Sequence, residues 1–169
     1  MNEKRLEILL KLESDGKFEV LANQITLIPE LYSISFYRFW NSIPDNLKYE
    51  TAIGAYMNHG DSVSIVRKRV REALKYGKPD LPEWIKSQKE ITIYRAGEEP
   101  IEKAKYRISW TTDIEKARWF LYEWNGRHAK YLYKGVISID KIIAYTNERK
   151  EHEVMQYRNV RNIELLEQL

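Results

Sequence analysis

From Glu90 to Asp113 the chain reads EITIYRAGEEPIEKAKYRISWTTD, and its hydrophobic period changes there. Ile91 and Ile93 alternate with Thr92 and Tyr94, the two-residue repeat of a half-buried strand. Gly97, Glu98, Glu99 and Pro100 follow as a turn. Tyr106 to Trp110 is an expected second strand. Thr111-Thr112-Asp113 then supplies a helix start, with Asp113 or Thr112 capping the segment from Ile114 onward. Ala117, Phe120 and Leu121 would line one face of that helix.

Beyond it, Tyr131 to Ile139, Ile142 to Tyr145 and Glu153 to Tyr157 read as further strands. Ile163, Leu165 and Leu166 fit either a closing strand or a short helix. Before Glu90 the pattern is helical. Leu6, Leu9 and Leu10 form a stripe that stops at Ser14-Asp15-Gly16. Tyr32, Phe36 and Trp40 recur every four residues, a spacing that favours a core face over a stacking platform. Pro44 breaks the chain ahead of a new helix. The clearest helix runs from about Ser62 to Tyr76, with Val63, Val66, Val70 and Ala73 on one side and Gly77 and Pro79 ending it. The expected class is α+β: a helical lobe over 1–89 and a β-rich core over 90–169, together forming one compact unit.

The 169 residues are 43% hydrophobic and 31% charged, a globular balance. The absence of cysteine excludes a disulfide framework, a thiolate metal site and a cysteine nucleophile. His59, His128 and His152 are scattered, and no metal site is expected. Net charge is +3, with 28 basic and 25 acidic residues spread over both halves. Bulk charge therefore does not argue for nucleic acid. Arg67, Lys68, Arg69, Arg71 and Lys75 surround one helix, which reads as a solvated face. Lys11 and Glu13 interrupt the N-terminal apolar run, so neither a signal peptide nor a membrane span is expected, and the location follows as cytoplasmic.

Three short pieces stand in order: Ile93-Tyr94-Arg95-Ala96-Gly97, Ser109-Trp110-Thr111-Thr112 and Glu151-His152-Glu153-Val154-Met155. They resemble the arginine, serine and glutamate motifs of the mono-ADP-ribosyltransferases of bacterial toxins and phages, and the resemblance spans Tyr94 to Met155. It implies a split, mostly antiparallel sheet of the ADP-ribosyltransferase type with a helical lobe packed on it. It implies NAD as substrate, with Arg95, Ser109, Thr111 and Tyr94 on the NAD side and Glu153 and Glu151 as the catalytic pair. Two features depart from the family pattern: the motifs are closely spaced, and Trp110 is bulky where a small hydroxyl residue is common.

The residue types suit that chemistry. Losing nicotinamide from NAD passes through an oxocarbenium-like cation, as glycoside hydrolysis does. A carboxylate beside the ribose, Glu153, stabilises the charge where it develops. Arg95 offers a fork of donors for pyrophosphate or ribose, and Ser109 can hold Glu153 in one rotamer. Glu151 would receive the acceptor; in the family a first glutamate there accompanies modification of arginine. Trp119, Tyr122 and Trp124 could overhang the cofactor, whereas Phe120 belongs to the core face. His152 points away from its neighbours on a strand and reads as structural. In the family the loop before the glutamates contacts the target, so Arg149 and Lys150, in the polar loop after Tyr145, would favour an acidic partner or a nucleic acid.

A small transferase modifying a protein target fits a phage or bacterial effector in a host cytosol. An NAD glycohydrolase, with water as acceptor, is the first alternative. The second is an inactive module of the same fold that holds nucleic acid or a protein partner, with nucleic acid the less favoured.

Overall fold

The computed structural model describes residues 2–58, 60–124 and 128–169, and His59 lies outside them. The chain divides into two compact units, Met1–Lys78 and Pro79–Leu169. Among the described residues the first is helical and the second carries a sheet, so the class is α+β. Residues 79–89 belong with the sheet because Leu81 and Ile85 are buried in one cluster with Ile91 and Ile93. No helix of the described residues is long and apolar enough to cross a membrane.

In the first unit, α1 (Asn2–Ser14) ends where Gly16 takes φ 68°, a left-handed conformation that glycine adopts without strain. Next come α2 (Phe18–Thr26), α3 (Tyr32–Arg38), α4 (Asp45–Met57) and α5 (Ser64–Glu72). Tyr32, Phe36 and Trp40 are all buried, and successive rings lie 5.8 Å apart. Helix α5 is shorter than its pattern suggested, because the chain tightens after Glu72 into a 3₁₀ turn over Ala73–Lys75. Arg69 lies over the Trp40 ring at 4.8 Å and pairs with Glu72 at 3.2 Å. Arg67 donates to the Asp61 carbonyl at 2.5 Å. Part of the basic helix is thus used inside its own unit.

The second unit runs α6 (Glu83–Lys86), β1 (Glu90–Gly97), α7 (Ile101–Ala104), β2 (Ser109–Thr111), α8 (Ile114–Tyr122), β3 (Tyr131–Ser138), β4 (Ala144–Thr146), β5 (Glu153–Met155) and β6 (Arg161–Gln168). The six strands form one sheet in the order β4-β5-β2-β1-β3-β6, and every pairing is antiparallel. It is one sheet where a split one was expected, yet it has a seam. Strands β1 and β3 pair along eight residues, whereas β1 and β2 share only Tyr94 opposite Thr111.

Strand β2 starts later than its sequence suggested. Tyr106 and Arg107 donate their amides to the carbonyls of Lys103 and Ala104, which continues the turn of α7. Strand β5 stops at Met155, and Arg158 turns the chain with φ 64°. The closing segment is a strand because β3 offers it an edge. Asp113 caps α8, accepting from the amides of Glu115 at 2.9 Å and Lys116 at 3.3 Å.

The sheet has two apolar faces. Ile91, Ile93, Trp110, Tyr133 and Val154 are buried on one. Ala117 and Leu121 of α8 cover the other, packing with Leu132, Tyr94 and Ala96. Phe120, expected in that core, is only half-buried. It meets Trp119 at 5.1 Å and Trp124 at 5.6 Å edge to face, because the helix presents Ala117 and Leu121 to the sheet instead.

Gly135 lies at an irregularity in the β3–β6 register, and a Cβ there would overlap Cγ1 of buried Val160. A β-branched neighbour yields little, so Gly135→Ala should lower stability by about 1–3 kcal/mol. Urea unfolding would read this as a lower midpoint, and an unchanged midpoint would contradict the close approach.

Candidate functional site

Register brings four residues into one row: Tyr94 on β1, Thr111 on β2, Glu153 on β5 and Thr146 on β4. Residues directly opposite one another share a face of the sheet. Tyr94 packs with the α8 cluster, so this row is on the α8 side. Ser109, two residues before Thr111, is on that side as well. Trp110 alternates to the other face and is buried there, which accommodates its bulk.

Ser109 is a diagonal neighbour of Glu153 across β2 and β5, near enough for its hydroxyl to favour the Glu153 carboxylate. Glu153 is 3% exposed. Burial pushes its carboxyl above the usual range; Ser109 and Arg149 oppose the shift without cancelling it, and Glu151 adds to it. A buried carboxylate with a positioned hydroxyl on one side is equipped to meet a developing positive charge.

Glu151 lies before β5. His152 takes φ 45°, so the extended alternation expected for the pair is broken. The two carboxylates nevertheless converge on one guanidinium. Arg149 Nη2 is 3.3 Å from Glu151 Oε2 and 3.1 Å from Glu153 Oε2. Thr111 serves the same loop: its hydroxyl donates to the Glu151 carbonyl at 2.6 Å and accepts from the Asp113 amide at 3.0 Å. Both contacts are with backbone.

Arg95 faces the opposite way. It lies between Tyr94 and Ala96 on β1 and opposite Tyr133 on β3, a residue of the other face. Its Nε donates to Glu99 at 2.8 Å, and Nη1 donates to the Ser109 carbonyl at 2.6 Å. Arg107 also meets Glu99, at 3.1 Å, and the Tyr133 hydroxyl donates to the Glu99 carbonyl at 2.6 Å. Burial alone would raise the Glu99 carboxyl, but Arg95, the backbone and Arg107 outweigh it and hold it below the usual range. The Arg95–Glu99 ion pair is thus largely buried. Arg95 therefore reaches the site through the main chain of Ser109.

Beside the row is an open cleft of about 380 Å³, lined by Trp84, Tyr94, Thr112, Asp113, Ile114 and His152. That volume is within the range of small-molecule sites. Arg95, Ser109 and Glu153 do not line it, but Tyr94 belongs to the same row as Glu153, and His152 precedes it in the chain. Trp84 and Tyr94 bring flat rings to the cleft, whereas the Glu153 carboxylate is buried outside its lining. The first amides of α8 are already taken by Asp113, which removes the usual anion seat at a helix start.

His152 is the residue that alternation misplaced. Its left-handed backbone brings it to the cleft, where Nδ1 is 3.0 Å from the Tyr145 hydroxyl. The clue in the sequence is the polar run ahead of it, since Asn147 Oδ1 accepts the His152 amide at 3.1 Å. Trp119 and Tyr122, expected near a cofactor, are on α8, and Tyr122 donates to Glu167 at 2.6 Å. Among the described residues no group of three or more His, Asp or Glu is arranged to hold a metal ion. Comparison with protein-family models, curated proteins and solved structures returned no match.

Removing Arg95 would leave buried Glu99 with Arg107 alone. Arg95→Ala should cost about 3 kcal/mol, and Arg95→Ala with Glu99→Ala should cost less than the sum of the two. Denaturant unfolding of the four proteins gives the coupling, and strict additivity would contradict the buried pair.

Proposed function

We propose that the chain is a mono-ADP-ribosyltransferase that uses NAD to modify a protein target, with Glu153 as its catalytic carboxylate. The observation that carries this reading is the register of β2 and β5, which sets Ser109 and Glu153 as diagonal neighbours on one face of the sheet. Two motif residues far apart in sequence meet there, on a face that also bears Tyr94. The carboxylate is buried and stands in the same row as an aromatic residue of an open cleft.

The roles follow from those contacts. Glu153 accepts a hydrogen bond from a ribose hydroxyl and stabilises the oxocarbenium-like cation as nicotinamide departs. Ser109 positions Glu153. Arg95 is a positioning residue that acts through the Ser109 carbonyl, and Thr111 acts likewise through the carbonyl of Glu151. Tyr94 and Trp84 are the flat walls for a ring. Glu151 receives the acceptor, and the guanidinium seated on both carboxylates favours arginine as the acceptor class. A sheet of two three-stranded halves joined by one registered pair supports an ADP-ribosyltransferase type of fold.

Nicotinamide release from labelled NAD, followed with and without a protein acceptor, tests the reading. Glu153→Gln should lose at least about 10²-fold in rate while keeping its fold, and Ser109→Ala should lose less. The reacting form is the carboxylate, and burial raises the pH at which it forms. The acid limb of kcat/KM should therefore lie above the ordinary carboxylate range and vanish with Glu153→Gln. Equal rates for wild type and Glu153→Gln would remove Glu153 from the reaction.

A further inference from the structure

Arg149 presents its own guanidinium to both carboxylates of the site. Nη2 lies within hydrogen-bond distance of Glu153, at 3.1 Å, and 3.3 Å from Glu151. Several contacts hold the loop that carries it. The Lys150 amide donates to the Asn147 carbonyl at 3.0 Å, and the His152 amide donates to Asn147 Oδ1 at 3.1 Å. The Glu151 carbonyl accepts from Thr111, and the His152 carbonyl accepts from the Thr112 amide at 3.1 Å. Lys150 and His152 both take left-handed backbone, with φ of 54° and 45°. Ordinary side chains enter that region only where the surroundings impose it.

Most surface ion pairs contribute little and need no such loop. Here one partner, Glu153, is buried, and the cation meets both carboxylates at once. Its side chain is 51% exposed, so it can shift by a few ångströms without unpacking a core. A guanidinium is also the acceptor that Glu151 suits.

We infer that Arg149 is itself an acceptor, and that the chain attaches ADP-ribose to its own Arg149. This rests on the transferase reading above. In the step, Arg149 Nη2 uses its electron pair to form a bond to C1′ of the nicotinamide ribose. The bond from C1′ to the pyridinium nitrogen breaks, and nicotinamide leaves neutral with that pair. The proton lost by the attacking nitrogen passes to Glu151 and then to water. NAD and the arginine become ADP-ribosyl-arginine, nicotinamide and one proton, with no other reactant. Glu153 would hold the ribose hydroxyl next to C1′, so a guanidinium 3.1 Å from the same carboxylate is on the side of the site where C1′ would lie.

The product would carry two phosphates on the side chain that now pairs with Glu151 and Glu153, and its bulk would take the guanidinium from its seat. Nicotinamide release should therefore slow as the adduct accumulates.

Purified protein is incubated with NAD and mapped by peptide mass spectrometry, while nicotinamide is measured in the same samples. A tagged Glu153→Gln chain is added to half of them. The expected result is one ADP-ribosyl group on Arg149, formed at a rate independent of protein concentration, with the tagged chain left unmodified at its own Arg149. Nicotinamide release with Arg149 unmodified, or equal labelling of the tagged chain, would overturn the inference and leave the transferase reading standing. No nicotinamide release, with or without an added protein acceptor, would overturn both.

Discussion

The Arg95 side chain reaches across the seam of the sheet, donating from Nη1 to the carbonyl of Ser109. On one side of the seam, β1 is paired to β3 along its full length. On the other, β2, β5 and β4 are three-residue strands. Backbone register joins the halves at Tyr94 and Thr111 alone. Arg95 supplies the next tie with a charged donor, which is stronger than a neutral amide. Glu99 and Arg107 fix the arginine from behind. The result is a chain of contacts from Glu99 through Arg95 to the Ser109 backbone, on the strand whose register sets Glu153 beside it. The position of the buried carboxylate depends on a residue that points to the other face.

Burying Glu153 acts against folding, since an ionised carboxylate loses hydration there. The left-handed residues Lys150 and His152 add strain in the loop that leads to it. Such features persist where surrounding contacts over-determine them, and Thr111 provides several. Its hydroxyl ties the Glu151 carbonyl to the start of α8. One short strand thus sets the serine, the loop and the helix cap together.

The sequence showed the strand at Ile91 and Ile93, the α8 cap at Asp113 and the core aromatics Tyr32, Phe36 and Trp40, because each is a local signal. Periodicity or a short-range hydrogen bond decides them. The order of Arg95, Ser109 and Glu153 was legible as well, and the register of β2 and β5 sets Ser109 diagonal to Glu153. The facing of Arg95 was not, since it depends on the register of β1 against β3. Strand alternation failed at His152, where Asn147 and Thr112 impose a left-handed turn before β5 begins. Leu81 and Ile85 carry no strand pattern, yet they fill the core beneath β1. Phe120 misled for a similar reason: helical spacing could not distinguish which of two adjacent apolar residues would meet the sheet.

The account stands on NAD meeting the α8-side row that contains Tyr94, Thr111 and Glu153. Amide chemical-shift mapping of the Glu153→Gln protein during NAD titration tests this most directly, because the substrate can bind there without being consumed. The account predicts saturable shifts at Tyr94, Ser109, Thr112, His152 and Gln at position 153, with the helices of the first unit unmoved. Shifts confined to those helices, or none at any NAD concentration, would contradict it.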